Sequence, residues 1–330
     1  MKVMVLSMKA WYDHFAPKES PSYQNAELIF CDMASSEEDL LAACGDADAL
    51  FVTPMSWVRE SLISRMPNLK IIQSEGVGFD RIDLDSAKKR DIYVCNSAGC
   101  NAGQVAELSV TLMSMLLRRT LWGNRMVRAG CLGDAMQMLE RNVPRDLSSV
   151  SVGLVGFGNI GQATAKRLRI NGSQVFYYCR HRKPLEVEQH FGVKYLLLED
   201  LTAQCDIISL HLPATAESTH MVNRDFLFRM KPESYLINTA RGAIVDNDAL
   251  CEAIRSGHLA GAALDTYAPE PVSANHPLLK LAAEFPDSLI LCPHQAGITV
   301  SSFRNVYQML FENLELLMEE QRPKRIVNGL

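Results

Sequence analysis

Three short segments in the C-terminal half carry side chains suited to reducing a carbonyl group: NTARG (Asn238–Gly242), LDTYAPEP (Leu264–Pro271) and CPHQAG (Cys292–Gly297). A guanidinium such as that of Arg241 is permanently charged and can bond two oxygens at once. An imidazole such as that of His294 exchanges protons near neutral pH. Each of the three segments contributes one group of a kind that carbonyl reduction requires. Each segment follows an apolar run of strand character, which is where doubly wound α/β sheets place their ligands. Taken singly they are weak signals, because an arginine can equally tie a loop to a sheet and most of the eight histidines serve surface or packing.

A second chemistry lies upstream. Gly156, Gly158 and Gly161 in GLVGFGNIG follow an apolar strand and open a helical segment, Ile160–Arg169. In that context the first glycine permits a tight turn, the second lets backbone approach a pyrophosphate, and the third allows close helix packing. The residues between them, Phe157, Asn159 and Ile160, place N–H groups at the helix start, facing the phosphates. The next strand should end in an acid that bonds a ribose 2′-hydroxyl, about 20 residues on. The chain instead reads YYCRHRKP (Tyr177–Pro184), with Cys179 where the acid belongs. Arg180 and Arg182 are suited to pair with a 2′-phosphate through charge-assisted hydrogen bonds. NADP(H) is therefore the preferred cofactor, and a solvated basic loop beside NAD(H) is the alternative.

These groups need a scaffold. At 330 residues two domains are expected, and 48% hydrophobic with 22% charged residues is ordinary for a globular protein. A formal charge of −5 supplies no basic surplus for nucleic acid. No apolar run approaches the roughly 18 residues that span a bilayer, and the opening MKVMVLSMKAWYDH reads as a strand of the mature protein, not a leader. The nine scattered cysteines form no CxxC pair, so reduced thiols in a cytoplasm are expected and no metal site is.

Strand-like runs fall in two series with helical patterns between them, predicting two doubly wound parallel-sheet α/β domains. The first series is Lys2–Ser7, Glu27–Phe30, Ala49–Val52, Leu69–Gln73 and Ile92–Cys95, with helices near Glu37–Cys44 and Trp57–Arg65. The second is Ser151–Gly156, Gln174–Tyr178, Asp206–Leu210, Tyr235–Asn238, Gly261–Leu264 and Leu289–Cys292. A long helix opening at Asn101 or Ala102 joins them, Arg118–Leu147 reads as an arm or a surface helix, and Ser301–Glu320 is amphipathic.

Together with SEGVGFDRID (Ser74–Asp83), NAGQVAE (Asn101–Glu107), HLPATAES (His211–Ser218) and NTARGAIVD (Asn238–Asp246), the segments above resemble the D-isomer-specific 2-hydroxyacid dehydrogenases over nearly the whole chain. The resemblance implies a Rossmann cofactor domain (residues 99–297) and a smaller flavodoxin-like substrate domain (residues 1–98 and 298–330). It implies that Arg241 holds the substrate carboxylate and polarises the keto oxygen, and that His294 is the general acid in reduction, paired with Glu270. The loop Glu75, Gly76, Val77, Gly78 would bind the substrate carboxylate, the amides of Val77 and Gly78 doing so directly. Asp265 would bond the nicotinamide carboxamide, Thr239 and Ser218 would touch the cofactor, Pro213 would pack near the adenine, and His294 and Gly297 would complete the cofactor contacts. The family also implies a homodimer and closure of the domains over a small 2-keto or 2-hydroxy acid.

The sequence departs from the family pattern at Cys179, at Gln295 after the histidine, and at Glu75, whose charge beside the loop would repel phosphorylated substrates if it faced them. The leading expectation is an NADPH-preferring reductase of glyoxylate, hydroxypyruvate or a branched or aromatic 2-keto acid. The competing readings are a phosphite or other small-anion dehydrogenase, and a nucleotide-sensing, corepressor-like interaction protein.

Overall fold

The computed structural model describes residues 1–330. The chain divides into two compact units, Met1–Asn101 with Thr299–Leu330, and Ala102–Ile298. The sequence places the two crossings at 98/99 and 297/298, within a few residues of these.

Unit 1 holds five strands, β1 (Lys2–Leu6), β2 (Glu27–Phe30), β3 (Ala49–Val52), β4 (Ile71–Ser74) and β5 (Tyr93–Cys95). They form one sheet in the order β2-β1-β3-β4-β5, with every pairing parallel. That order is the flavodoxin-like form of a doubly wound sheet. All four residues of β3 are buried, as expected of a parallel strand covered on both faces. One face is filled by the C-terminal helix Val300–Met318, whose Val306, Tyr307, Leu310, Phe311 and Leu314 pack with Val3, Val5, Ala49, Phe51 and Ile71.

Unit 2 holds seven strands: β6 (Ser151–Val155), β7 (Gln174–Tyr178), β8 (Lys194–Tyr195), β9 (Ile207–Leu210), β10 (Ser234–Asn238), β11 (Leu259–Leu264) and β12 (Leu289–Leu291). Their order is β12-β11-β10-β9-β6-β7-β8, again all parallel. Counted from β6 this is the 3-2-1-4-5-6 order of a Rossmann sheet with one further strand, and its direction reverses between β6 and β9. The six strands read from sequence are present. The seventh, β8, has only two residues, too few for alternation or an apolar run to register. Arg118–Leu147 contains two helices, Thr120–Arg128 and Leu132–Arg141, followed by a short turn. The span Trp57–Arg65 is helical only over Glu60–Ile63.

Register decides where the chemistry falls. Asn238 pairs with Leu264 and Leu264 with Leu291, so β10, β11 and β12 end level with one another. The loops that follow, bearing Arg241, Glu270 and His294, therefore emerge from one edge of the sheet.

Candidate active site

The loop after β10 is shaped by the last residue of the strand. Asn238 accepts the Ala240 amide on its Oδ1 (3.0 Å) and donates from Nδ2 to the Arg241 carbonyl (2.9 Å). Arg241 is extended, with φ −143° and ψ 138°, and Gly242 follows it. A Cβ on Gly242 would lie 1.9 Å from the carbonyl carbon of Tyr267. Only glycine lets the arginine loop pass that close to the loop bearing Glu270.

Tyr267 ties the other two loops together. Its amide donates to Glu270 Oε1 (2.7 Å), and its hydroxyl donates to the Cys292 carbonyl (2.7 Å), two residues before His294. Glu270 Oε2 in turn accepts from Nδ1 of His294 at 2.8 Å. That bond consumes the Nδ1 proton and leaves Nε2 as the face of the ring that can exchange a proton with a ligand.

The Glu270 carboxylate raises the His294 pKa above its ordinary 6.5, against the opposing effect of burial. Burial pushes Glu270 upward, but the bond from His294 and the Tyr267 amide outweigh it and hold the carboxyl below its usual range. The ring is nearly half exposed, at 47% of the side chain, so it remains open to a reactant.

His294 has a left-handed backbone, φ 53°, a conformation costing a non-glycine residue about 1–3 kcal/mol. Asp265 compensates. Its Oδ1 accepts the Gln295 amide (2.9 Å) and its Oδ2 the Ala296 amide (2.8 Å), and the residue is fully buried. Beside the expected contact of Asp265 with a nicotinamide carboxamide, both its oxygens fix the turn that aims the imidazole.

The glycine loop lies between β6 and the helix Asn159–Ile170. Gly156 has φ +101°, and a Cβ there would sit 2.2 Å from the His211 carbonyl oxygen; on Gly161 it would sit 2.4 Å from the Gly156 carbonyl oxygen. On Gly158 a Cβ would meet nothing within 4 Å. The first and third glycines are therefore required by the protein itself, whereas the second leaves open room over a helix that begins with no side-chain cap. Uncapped N–H groups beside a surface without a side chain fit a pyrophosphate. Asn159 and Ile160 lie in that first turn, whereas the Phe157 ring is buried and stacks on Tyr177 at 4.3 Å.

The basic loop after β7 differs from expectation in one respect. Arg182 is committed within the chain: its Nε and Nη2 donate to the two oxygens of buried Glu188 at 2.7 and 2.9 Å. Tyr177 donates to the same carboxylate (2.9 Å) and accepts the Lys183 amide (3.0 Å). Arg180 lies 3.7 Å from Glu217, with both side chains about three-quarters exposed, a separation at which a solvated pair contributes little. Cys179 donates its thiol proton to the His181 carbonyl (3.0 Å).

Other expected cofactor contacts are partly occupied. The Ser218 hydroxyl donates to the Pro213 carbonyl (2.7 Å) and accepts the Thr215 amide (2.7 Å), holding that turn together. Thr239 is buried with its hydroxyl 2.9 Å from that of Ser109. Gly297 lies within the turn closed by the Ile298 amide on the Gln295 carbonyl (2.8 Å).

In unit 1, three successive carbonyls of the loop after β4 are turned inward. Gly76 accepts the Ser97 amide (2.8 Å), Val77 accepts Nδ2 of Asn96 (2.8 Å) and Gly78 accepts the Ser74 hydroxyl (2.7 Å). The amides of Gly76, Val77 and Gly78 have no partner within the chain, so the loop retains three backbone donors. Glu75 does not join them. Its side chain is 9% exposed and points into the core of unit 1, bonded to Ser7 and Tyr12.

No group of three or more His, Cys, Asp or Glu side chains is placed to hold a metal ion. All nine cysteines are free thiols, and no helix is long and apolar enough to cross a membrane.

The pattern described as D-isomer specific 2-hydroxyacid dehydrogenase, NAD binding domain, matches residues 110–296. A glyoxylate reductase of Thermofilum pendens is 36% identical over 298 residues, covering 90% of this chain and 86% of that one. One of Thermococcus litoralis is 37% identical over 88% of this chain and 86% of its own. The solved D-lactate dehydrogenase of Aquifex aeolicus, complexed with NAD and lactic acid, superposes with a TM-score of 0.85 at 27% identity over the whole of both chains. Fold, glycine loop and relatives define an oxidoreductase that depends on a nicotinamide dinucleotide. The chain belongs to the D-isomer-specific 2-hydroxyacid dehydrogenase family.

Proposed function

We propose that this protein reduces a small 2-keto acid to the D-2-hydroxy acid, with NADPH preferred over NADH and with glyoxylate and hydroxypyruvate as the first substrates to consider. The observation that carries the cofactor preference is the end of β7, where Cys179 and Arg180 stand in place of a ribose-binding acid. Several relatives named glyoxylate reductase support the substrate class.

The bound nicotinamide supplies a hydride to the keto carbon. The chain supplies the rest. In unit 2, Arg241 would bond the substrate's carboxylate and keto oxygens, where its fixed charge opposes the negative charge that develops; in unit 1, the amides of Gly76, Val77 and Gly78 are donors suited to a carboxylate. His294, protonated, gives its Nε2 proton to that oxygen, and Glu270 holds the resulting neutral ring in place through Nδ1. In the oxidative direction the neutral ring accepts the proton.

Because Arg182 is held by Glu188, we assign the 2′-phosphate to Arg180 and treat Arg182 as the residue that stiffens the loop. Initial rates with NADPH and NADH test this. The ratio of kcat/KM should favour NADPH, and Arg180→Ala should reduce that ratio by about tenfold or more, the loss of one charge-assisted contact. Arg182→Ala should reduce it less. Equal rates with the two cofactors in the unaltered enzyme would end the NADPH assignment.

A further inference from the structure

Glu75 is an unusual residue to bury. Its carboxyl lies in the core of unit 1 at the root of the Gly76–Gly78 loop, and every group that meets it is a hydroxyl. Tyr12, from the helix Lys9–Phe15, reaches Oε1 at 2.5 Å; Ser7, just past β1, reaches Oε2 at 2.7 Å; Tyr307, from the C-terminal helix, reaches Oε2 at 3.4 Å. The Glu75 amide donates to the Val52 carbonyl at the end of β3 (2.8 Å). No lysine, arginine or histidine faces the carboxyl from any of these elements; the titratable groups against it are Tyr12 and Tyr307 alone.

We propose that Glu75 is a positioning residue that sets how tightly the amides of Gly76, Val77 and Gly78 hold a carboxylate, the grip being firm when Glu75 is neutral and weaker when it is charged. The proposal rests on the reading of that loop as the substrate-carboxylate site.

Three physical points support it. A charge buried without a cation acts over a longer range than one in water, because little intervenes to screen it. The loop begins at the residue after Glu75, so the side chain that carries the charge is anchored to the backbone one residue before the first of those amides. Finally, a hydroxyl can either donate or accept, so the Ser7, Tyr12 and Tyr307 cluster can serve both protonation states by rotating an O–H, with no heavy atom displaced. Burial, against the three hydroxyl bonds, raises the Glu75 pKa to about 7, which brings the transition into the range where an enzyme works. Coupling is reciprocal: a carboxylate bound to the loop must hold the proton on Glu75 more firmly.

The test uses the full chain saturated with reduced cofactor and oxamate, a non-reacting 2-keto acid analogue. Between about pH 6 and about pH 9 the Kd for oxamate should rise roughly tenfold more in the unaltered enzyme than in Glu75→Gln, which keeps the hydrogen-bonding shape but has no charge. What remains in Glu75→Gln is the titration of His294. With glyoxylate as substrate the same substitution should flatten the rise of KM between about pH 6 and about pH 9. Parallel Kd profiles in the two proteins, or no oxamate binding at any pH, would overturn the proposal. If Glu75→Gln does not fold, Tyr307→Phe removes one bond to the charged form and should move the limb to higher pH; an unmoved limb overturns the proposal equally. An enzyme that does not reduce glyoxylate yet keeps the Glu75-dependent oxamate profile would sink the substrate assignment and leave this inference standing.

Discussion

At the scale of single residues, the pairing of His294 with Glu270 fixes a direction in pH. The imidazole pKa is raised above 6.5 chiefly by the Glu270 carboxylate, and the proposed reduction consumes the protonated form. The kcat/KM for reduction should therefore be level at low pH and fall as pH rises through a value above 6.5, whereas oxidation should rise over the same interval. Glu270→Gln removes the charge and leaves burial to act alone, so the falling limb should move to lower pH and the rate at neutral pH should drop by roughly 10²-fold. A limb that stays in place would mean that another group titrates. Gly158 offers a different test. A methyl there meets no protein atom within 4 Å, so Gly158→Ala should unfold at nearly the same temperature yet bind NADPH at least about tenfold more weakly, as read by quenching of protein fluorescence. A lowered Tm with unchanged binding would show that the open space is not the pyrophosphate site.

Among the elements, the three loops past β10, β11 and β12 behave as one assembly, and Tyr267 is its clasp. Its hydroxyl bond to Cys292 holds the histidine loop against the glutamate loop. Tyr267→Phe should leave the pKa of an isolated imidazole untouched but relax the 2.8 Å contact, lowering kcat by about 10-fold or more with little change in KM, since a small misplacement of a catalytic group is costly. A kcat equal to that of the unaltered enzyme would show that the strands alone set the geometry. Tyr267 also marks the limit of what the sequence discloses. The motifs gave Arg241, Glu270 and His294, because each stands in a short segment of distinctive composition. They did not give the internal commitments of Arg182, Glu75 and Asp265, because a charged side chain reads alike in sequence whether its partner is a ligand or the chain itself. Glu188 lies six residues beyond Arg182 and is buried by the turn between them, and Tyr12 and Tyr307 reach Glu75 from 63 and 232 residues away. Separations of that kind leave no local pattern. The two-residue strand β8 was missed for the opposite reason, being too short to have a period.

For the molecule as a whole, the decisive feature is that unit 1 is completed by residues that follow unit 2. The helix Val300–Met318 buries Val306, Tyr307, Leu310, Phe311 and Leu314 against the first sheet, and Asn328 accepts the Val94 amide and donates to the Ile92 carbonyl. At about 1.5–3 kcal/mol for each large apolar side chain, the five residues contribute roughly 8–15 kcal/mol, an upper bound because the unfolded chain already buries some of that surface, similar to the entire stability of a typical domain. A chain ending at Ile298 should therefore lose the cooperative unfolding of unit 1, seen as one fewer calorimetric transition and rapid proteolysis within residues 1–101. Resistance of that segment to protease would show that the sheet stands without the helix. The same nesting sets an order in time. During synthesis the first 101 residues emerge early but must wait for the last 32 before their sheet can be covered, whereas everything needed by the cofactor unit has been made by residue 298. The half of the enzyme written first is thus the half that finishes last, and until then its exposed β-sheet is a surface that a chaperone or a neighbouring nascent chain can reach.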